Sequence, residues 1–123
     1  MKFWALMILS CLTLISCKSD DDVTDDQVIC TTEFVFGLLV QVRDANTGGI
    51  VLNDITVTAT DGDYSEELTF SFDTFFGAGE RPGNYTITVE AEGYLTLISN
   101  VIEVGADECH VITERVELEI EPL

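Results

Sequence analysis

From residue 33 onward, apolar and polar residues alternate in short runs, the period-two signature of strands with one buried face. The first run, Glu33–Asp44, puts Phe34, Phe36, Leu38, Val40 and Val42 on one face. Val35 and Leu39 add partial burial on the other. Asp44-Ala45-Asn46-Thr47-Gly48-Gly49 then reads as a turn, because Asn and Gly tolerate positive φ. A second strand spans 54–60, with Ile55, Val57 and Ala59 alternating with threonines, and Asp61-Gly62-Asp63 ends it as a hairpin turn. The pattern predicts a third strand over 66–73 with Leu68, Phe70 and Phe72 inward, and a loop over 74–83 that holds Gly77, Gly79, Pro82 and Gly83. Asn84–Ala91 alternates most regularly, with Tyr85, Ile87, Val89 and Ala91 inward. After a turn at Glu92-Gly93-Tyr94 come short strands over 95–98 and 101–104, a turn over 105–108, and a last strand over 110–120 with Val116, Leu118 and Ile120 inward.

About seven short, turn-separated strands in some ninety residues predict an all-β fold, an antiparallel β-sandwich of the transthyretin-like or Ig-like kind. The enrichment in Val, Ile, Thr, Phe and Tyr agrees. One domain over 29–123 buries roughly 60–70% of its unfolded surface, enough for a single modest core. No internal repeat is visible.

The first 28 residues follow a different pattern. Lys2 precedes an apolar run of 14 residues, Phe3–Ser16. This is too short for a spanning helix, which needs about 20 apolar residues, and it matches the length of a secretory signal. Leu14-Ile15-Ser16-Cys17 closes the run, and Lys18-Ser19-Asp20-Asp21-Asp22 follows. This arrangement resembles a bacterial lipoprotein signal with its lipobox. The resemblance implies cleavage of residues 1–16, lipid on Cys17, and a disordered acidic tether over 17–28. Two or more acyl chains anchor a protein stably, whereas one holds it only marginally. Ser19-Asp20-Asp21-Asp22 resembles the acidic signal of surface-exposed lipoproteins, which implies a Gram-negative cell envelope and an outer-membrane location. Read from composition alone, the same run is a solvated spacer.

The full chain has 5 basic and 23 acidic residues, a net charge of −18. Once Lys2 has left with the signal, 4 basic residues face 23 acidic ones, −19, and the folded part keeps only Arg43, Arg81 and Arg115 as cations. Such a surface repels nucleic acid and anionic headgroups. It keeps copies apart in solution, or alternatively suits a cationic partner.

Two stretches carry a second resemblance. Gly37–Gly49 holds a strand that ends in Asp44 and then a Thr47-Gly48 turn. Arg81-Pro82-Gly83-Asn84-Tyr85 leads into an alternating strand that ends at Gly93-Tyr94. Together they resemble carboxypeptidase regulatory-like domains, over about residues 33–121. The Pro that many relatives carry after the Thr-Gly turn is missing at Val51-Leu52-Asn53. The resemblance implies a transthyretin-like sandwich that acts as an accessory or binding module and has no catalytic residues or cofactor. In this kind of sandwich the terminal strands lie near each other. Cys30 and Cys109 are the two cysteines left after Cys11 is removed and Cys17 is lipidated, so they are expected to form a disulfide in an oxidising compartment. The alternative is two reduced, buried thiols.

Few residues suggest further chemistry. His110 is the only histidine, and no metal-ligand spacing, phosphate loop or Cys-x-x-Cys is present. Acidic pairs abound, but a sandwich of this size rarely shapes the cleft a glycosidase needs. Asp61, Asp63 and Glu66, with Glu67, form either a candidate calcium site or a solvated acidic hairpin. Phe75 and Phe76 stand just before Gly77 and Gly79 and either cap the core or form an exposed aromatic platform for a ligand. The sequence thus predicts a non-enzymatic, lipid-anchored envelope protein. It presents the sandwich to a protein partner or, alternatively, binds a carbohydrate or small ligand. Cys17→Ser is expected to move the protein from the membrane fraction to the soluble one. Fractionation with intact-mass measurement checks this, and a variant that stays membrane-bound at full precursor mass refutes it.

Overall fold

The computed structural model describes residues 29–123. The signal segment 1–16, the tether 17–28 and the lipid site Cys17 lie outside the described residues. Nine strands form within them: β1 (Phe36–Asp44), β2 (Ile55–Asp61), β3 (Tyr64–Glu67), β4 (Thr69–Ser71), β5 (Thr74–Gly79), β6 (Gly83–Ala91), β7 (Leu97–Ile98), β8 (Ile102–Val104) and β9 (Glu114–Ile120). One sheet has the order β4-β5-β1-β9 and the other β3-β2-β6-β7, with β8 also pairing with β6. The protein is an all-β sandwich, with nine strands rather than about seven. Its pairs are antiparallel except β1 with β9, which run parallel in the register Leu38 to Glu114 through Asp44 to Ile120.

The core lies between the two sheets. Leu38, Val40 and Val42 of β1 are wholly buried, as are Val57 and Ala59 of β2 and Tyr85, Ile87 and Val89 of β6. These are the inward positions of the alternation. Burying a side chain of this size contributes about 1.5–3 kcal/mol.

Three expectations fail, each for a physical reason. The strand expected over 66–73 is two strands in different sheets. β3 pairs with β2 and β4 pairs with β5, and the chain crosses between the sheets at Leu68. Leu68 is 4% exposed, and its amide still donates to Val57 O at 2.8 Å. The crossing resets which side is inward. Phe70 therefore lies partly exposed against Phe75, and Phe72 is 92% exposed. Phe72 occupies the two-residue turn between β4 and β5 with a φ of 59°.

The loop expected over 74–83 is largely strand β5. Gly77 and Gly79 are there for close approach, not for a turn: a Cβ at Gly77 would overlap the Leu68 side chain, and one at Gly79 the Phe34 ring. Phe34 and Phe36 are not core residues, being 62% and 36% exposed. The inward run begins only at Gly37 and Leu38. Gly37 is buried with its missing Cβ aimed at Val104 and Ala78, and Ala78 has a left-handed φ of 53°. That local twist turns Phe36 to the outer face.

Because Leu68 sits where the chain changes sheets, Leu68→Ala leaves a cavity under both layers. It is expected to cost about 3 kcal/mol and to lower the melting temperature by more than about 10 °C. Phe72→Ala is expected to change stability by less than about 0.5 kcal/mol. Denaturant melts of the two variants check the contrast, and equal losses would refute the crossing role.

Candidate functional site

Three polar networks and one aromatic face hold the residues of interest. The first network surrounds Arg81, just before β6. Its guanidinium donates to Asp61 Oδ2 at 3.1 Å and to the Tyr85 hydroxyl at 3.0 Å, and lies 3.7 Å over the Tyr64 ring. The Tyr85 hydroxyl donates in turn to Arg81 O at 2.7 Å. Tyr85 and Asp61 together push the Arg81 pKa up. Glu66 Oε1 accepts from the Tyr64 hydroxyl at 2.8 Å and from the Ala78 amide at 3.0 Å. The hydrogen bond to Glu66 raises the Tyr64 pKa.

The calcium candidates are therefore separated. Asp61 is paired with Arg81, Glu66 reaches across to Ala78, and Asp63 is exposed in the hairpin turn. Among the described residues no three Asp, Glu, His or Cys side chains are grouped to hold a metal ion.

The second network ties the ends of β1 and β6 together. Asp44 Oδ1 accepts from the amides of Asn46 at 2.7 Å and Thr47 at 3.0 Å, and Oδ2 accepts from the Tyr94 hydroxyl at 2.7 Å. These bonds, Tyr94 foremost, hold the Asp44 carboxyl below the usual range.

The third network clamps the start of the domain. Cys30 and Cys109 form a disulfide. On the chain-entropy model a loop of 79 residues stabilises by about 4 kcal/mol. Next to it, Thr31 Oγ1 lies 3.0 Å from His110 Nε2, and His110 Nδ1 lies 2.6 Å from Glu80 Oε2. Hydroxyl, imidazole and carboxylate follow one another in the order of a nucleophile, base and orienting group. No local pattern marks this row, since Thr31, Glu80 and His110 are far apart along the chain.

The carboxylates around the row are also bonded to backbone amides. Glu80 also accepts from the amides of Val35 at 2.9 Å and Val111 at 3.3 Å, while Asp107 Oδ1 accepts those of Cys109 and His110. These bonds fix the backbone on both sides of the disulfide, around Val35 and around Cys109–Val111. Burial pushes the Glu80 pKa up, but the Val35 amide, His110 and the Val111 amide outweigh it, and the net direction is down. The amides of His110 and Cys109 likewise lower Asp107.

The aromatic face lies on the outside of the β4-β5-β1-β9 sheet. Phe34 meets Phe36 edge-on at 5.2 Å, and Phe36 meets Phe76 at 5.4 Å. Phe36, Phe76, Thr69 and Ser71 line a groove of about 280 Å³. Phe75 and Phe76 do not form a pair, because neighbours on a strand point to opposite faces. Phe75 is in the core, and Phe76 faces outward beside Leu39. No family model matches the chain, and no curated protein matches it.

Asp44, Glu80 and Asp107 are all held below their ordinary values. Their contribution to stability is therefore complete above the unfolded carboxylate range and is lost as pH falls through the folded values. The melting temperature is expected to drop between about pH 5 and pH 2, and less steeply for Asp44→Asn than for the unsubstituted protein. Melts across that range check this, and equal slopes refute it.

Proposed function

We propose that this is a non-enzymatic, lipid-anchored protein of a Gram-negative outer membrane that presents a carboxypeptidase regulatory-like sandwich to a protein partner. The observation that carries this reading is the outward row Phe34, Phe36 and Phe76 on a sheet face that no other part of the described chain covers. Exposed apolar patches rimmed by polar residues mark contact sites, and aromatics are enriched at the centres of protein interfaces.

Two further features support the reading. Asp44, in the first stretch that resembles the family, bonds Tyr94, in the second, which gives both stretches a shared physical purpose. The acidic tether joins the domain where the Cys30–Cys109 disulfide fixes it. Its eleven residues, 18–28, reach at most about 40 Å from Cys17.

A second reading rests on the groove itself. Two aromatic rings with the hydroxyl residues Thr69 and Ser71 make a surface suited to a sugar. The two readings separate in one experiment, with a photoreactive phenylalanine analogue at Phe72, beside the face, on intact cells. A protein adduct is expected, and Phe36→Ala with Phe76→Ala should reduce it at least roughly tenfold, since buried aromatic anchors each carry about 2 kcal/mol or more. An adduct indifferent to those substitutions refutes the role of this face. Oligosaccharide binding without any protein adduct transfers the face to the second reading.

A further inference from the structure

The sandwich is closed unevenly. Three of its edges are short: β4 has three residues, β3 four and β7 two, while β9 has seven. Among the described residues β9 bonds only to β1, so alternate residues from Glu114 to Ile120 turn N–H and C=O toward an open edge, which closes just beyond, where Glu121 O accepts from the Leu95 amide. Beside that edge, between β9 and the β7–β8 segment, runs a groove of about 580 Å³, lined by five apolar residues, Val116 and Leu118 among them, and four polar ones, Glu117 and Glu119 included. Val116 and Leu118 are only half-buried, because β7 and β8 are too short to cover them.

A sheet edge of this length is a template for another strand, and its charges determine which strand fits. Residues 29–123 carry 3 basic and 18 acidic residues, −15, so most contacts between copies are repulsive. Two of the three cations lie on this strand pair: Arg115 on β9, and Arg43 on β1 in register with Glu119. The third, Arg81, is committed to Asp61.

The strand Glu114-Arg115-Val116-Glu117-Leu118-Glu119-Ile120 is self-complementary when it is paired antiparallel about Glu117. Arg115 then faces Glu119 of the other copy, twice, on the outer face. Val116 faces Leu118, twice, on the groove face, and Glu114 falls opposite Ile120, which its own core already covers at 1% exposure. The two Glu117 carboxylates meet at the axis, each with Arg43 Nε already 3.1 Å away. A register centred on Val116 would set Glu114 against Leu118, and one centred on Leu118 would set Glu117 against Glu119. The first leaves the half-buried Leu118 against a carboxylate, and the second opposes like charges twice, whereas the Glu117 register opposes them once, at the axis.

We infer that β9 pairs antiparallel with β9 of a second copy, with the two-fold axis at Glu117, so that the sheet continues across the dimer and the half-buried Val116 and Leu118 of each copy are covered reciprocally. This surface is distinct from the aromatic face and leaves it free.

Cross-linking tests the inference in the full chain carrying Cys11→Ser and Cys17→Ser, where the Cys30–Cys109 bridge leaves an introduced thiol as the single free one. Glu117→Cys is expected to give a disulfide-linked dimer under mild oxidation, and Asp63→Cys, in an exposed turn, is not. Arg115→Glu or Glu119→Arg alone, added to Glu117→Cys, should reduce the dimer roughly tenfold by opposing like charges across the strands. The two exchanges together should restore it. Rescue by the exchanged pair is an outcome that loss of folding does not produce. Equal dimer from the Asp63 position, no loss with the single exchanges, or no rescue with the double one overturns the inference. A photoadduct at Phe72 that persists when the dimer is absent would leave the partner-binding reading standing without this one.

Discussion

Burial of β1 is the constraint on which the rest of the structure depends. Leu38, Val40 and Val42 have no exposure, and β1 is hydrogen-bonded on both sides, to β5 and β9. A strand in that position must be dry on its inner face and paired along both edges, because an unpaired buried amide costs about as much as the apolar burial gains. The chain meets this by bringing its last strand back parallel to its first. The Cys30–Cys109 bridge and the bonds of Glu80 and His110 then hold the two terminal segments together at one end, and Asp44 with Tyr94 holds the other.

A strongly acidic chain with three cations in its fold cannot satisfy its carboxylates by ion pairing. It uses amides and hydroxyls instead. Asp44 takes two backbone amides and a tyrosine, Glu80 two amides and an imidazole, Asp107 two amides, and Glu66 a tyrosine and an amide. Charge-assisted bonds of this kind are stronger than neutral ones. Within the acidic hairpin such bonds hold Glu66, while Arg81 takes Asp61, so these two carboxylates join β3 to β5 and β2 to the start of β6.

Among the described residues, two surfaces remain open once the core is complete. One is the row of phenylalanines outside the β4-β5-β1-β9 sheet, and the other is the free edge of β9 with its apolar groove. They differ in what they offer. The rings present apolar area, with a partner's chemistry otherwise unspecified. The edge presents backbone hydrogen bonds in a fixed register, and its alternating charges select the strand that fits them.

The all-β sandwich, its antiparallel hairpins and most of its core were legible in the alternation of residues, because a half-buried strand requires period two whatever it packs against. The turns at Asp44–Gly48 and Gly62 were legible for a similar reason, since few residues besides Asn, Asp and Gly accept those backbone angles. Nothing in local pattern marked the crossing at Leu68, the strand through Gly77 and Gly79, or the outward turn of Phe34 and Phe36. Those depend on which sheet a segment joins and on which neighbour needs the space of a missing Cβ. The pairing of Thr31, His110 and Glu80, the dispersal of Asp61, Asp63 and Glu66, and the self-matching edge of β9 likewise appear only when distant segments meet. Sequence by itself determined which residues prefer strands, turns and water, and the tertiary structure decided which faces those strands turn to each other and which they leave open.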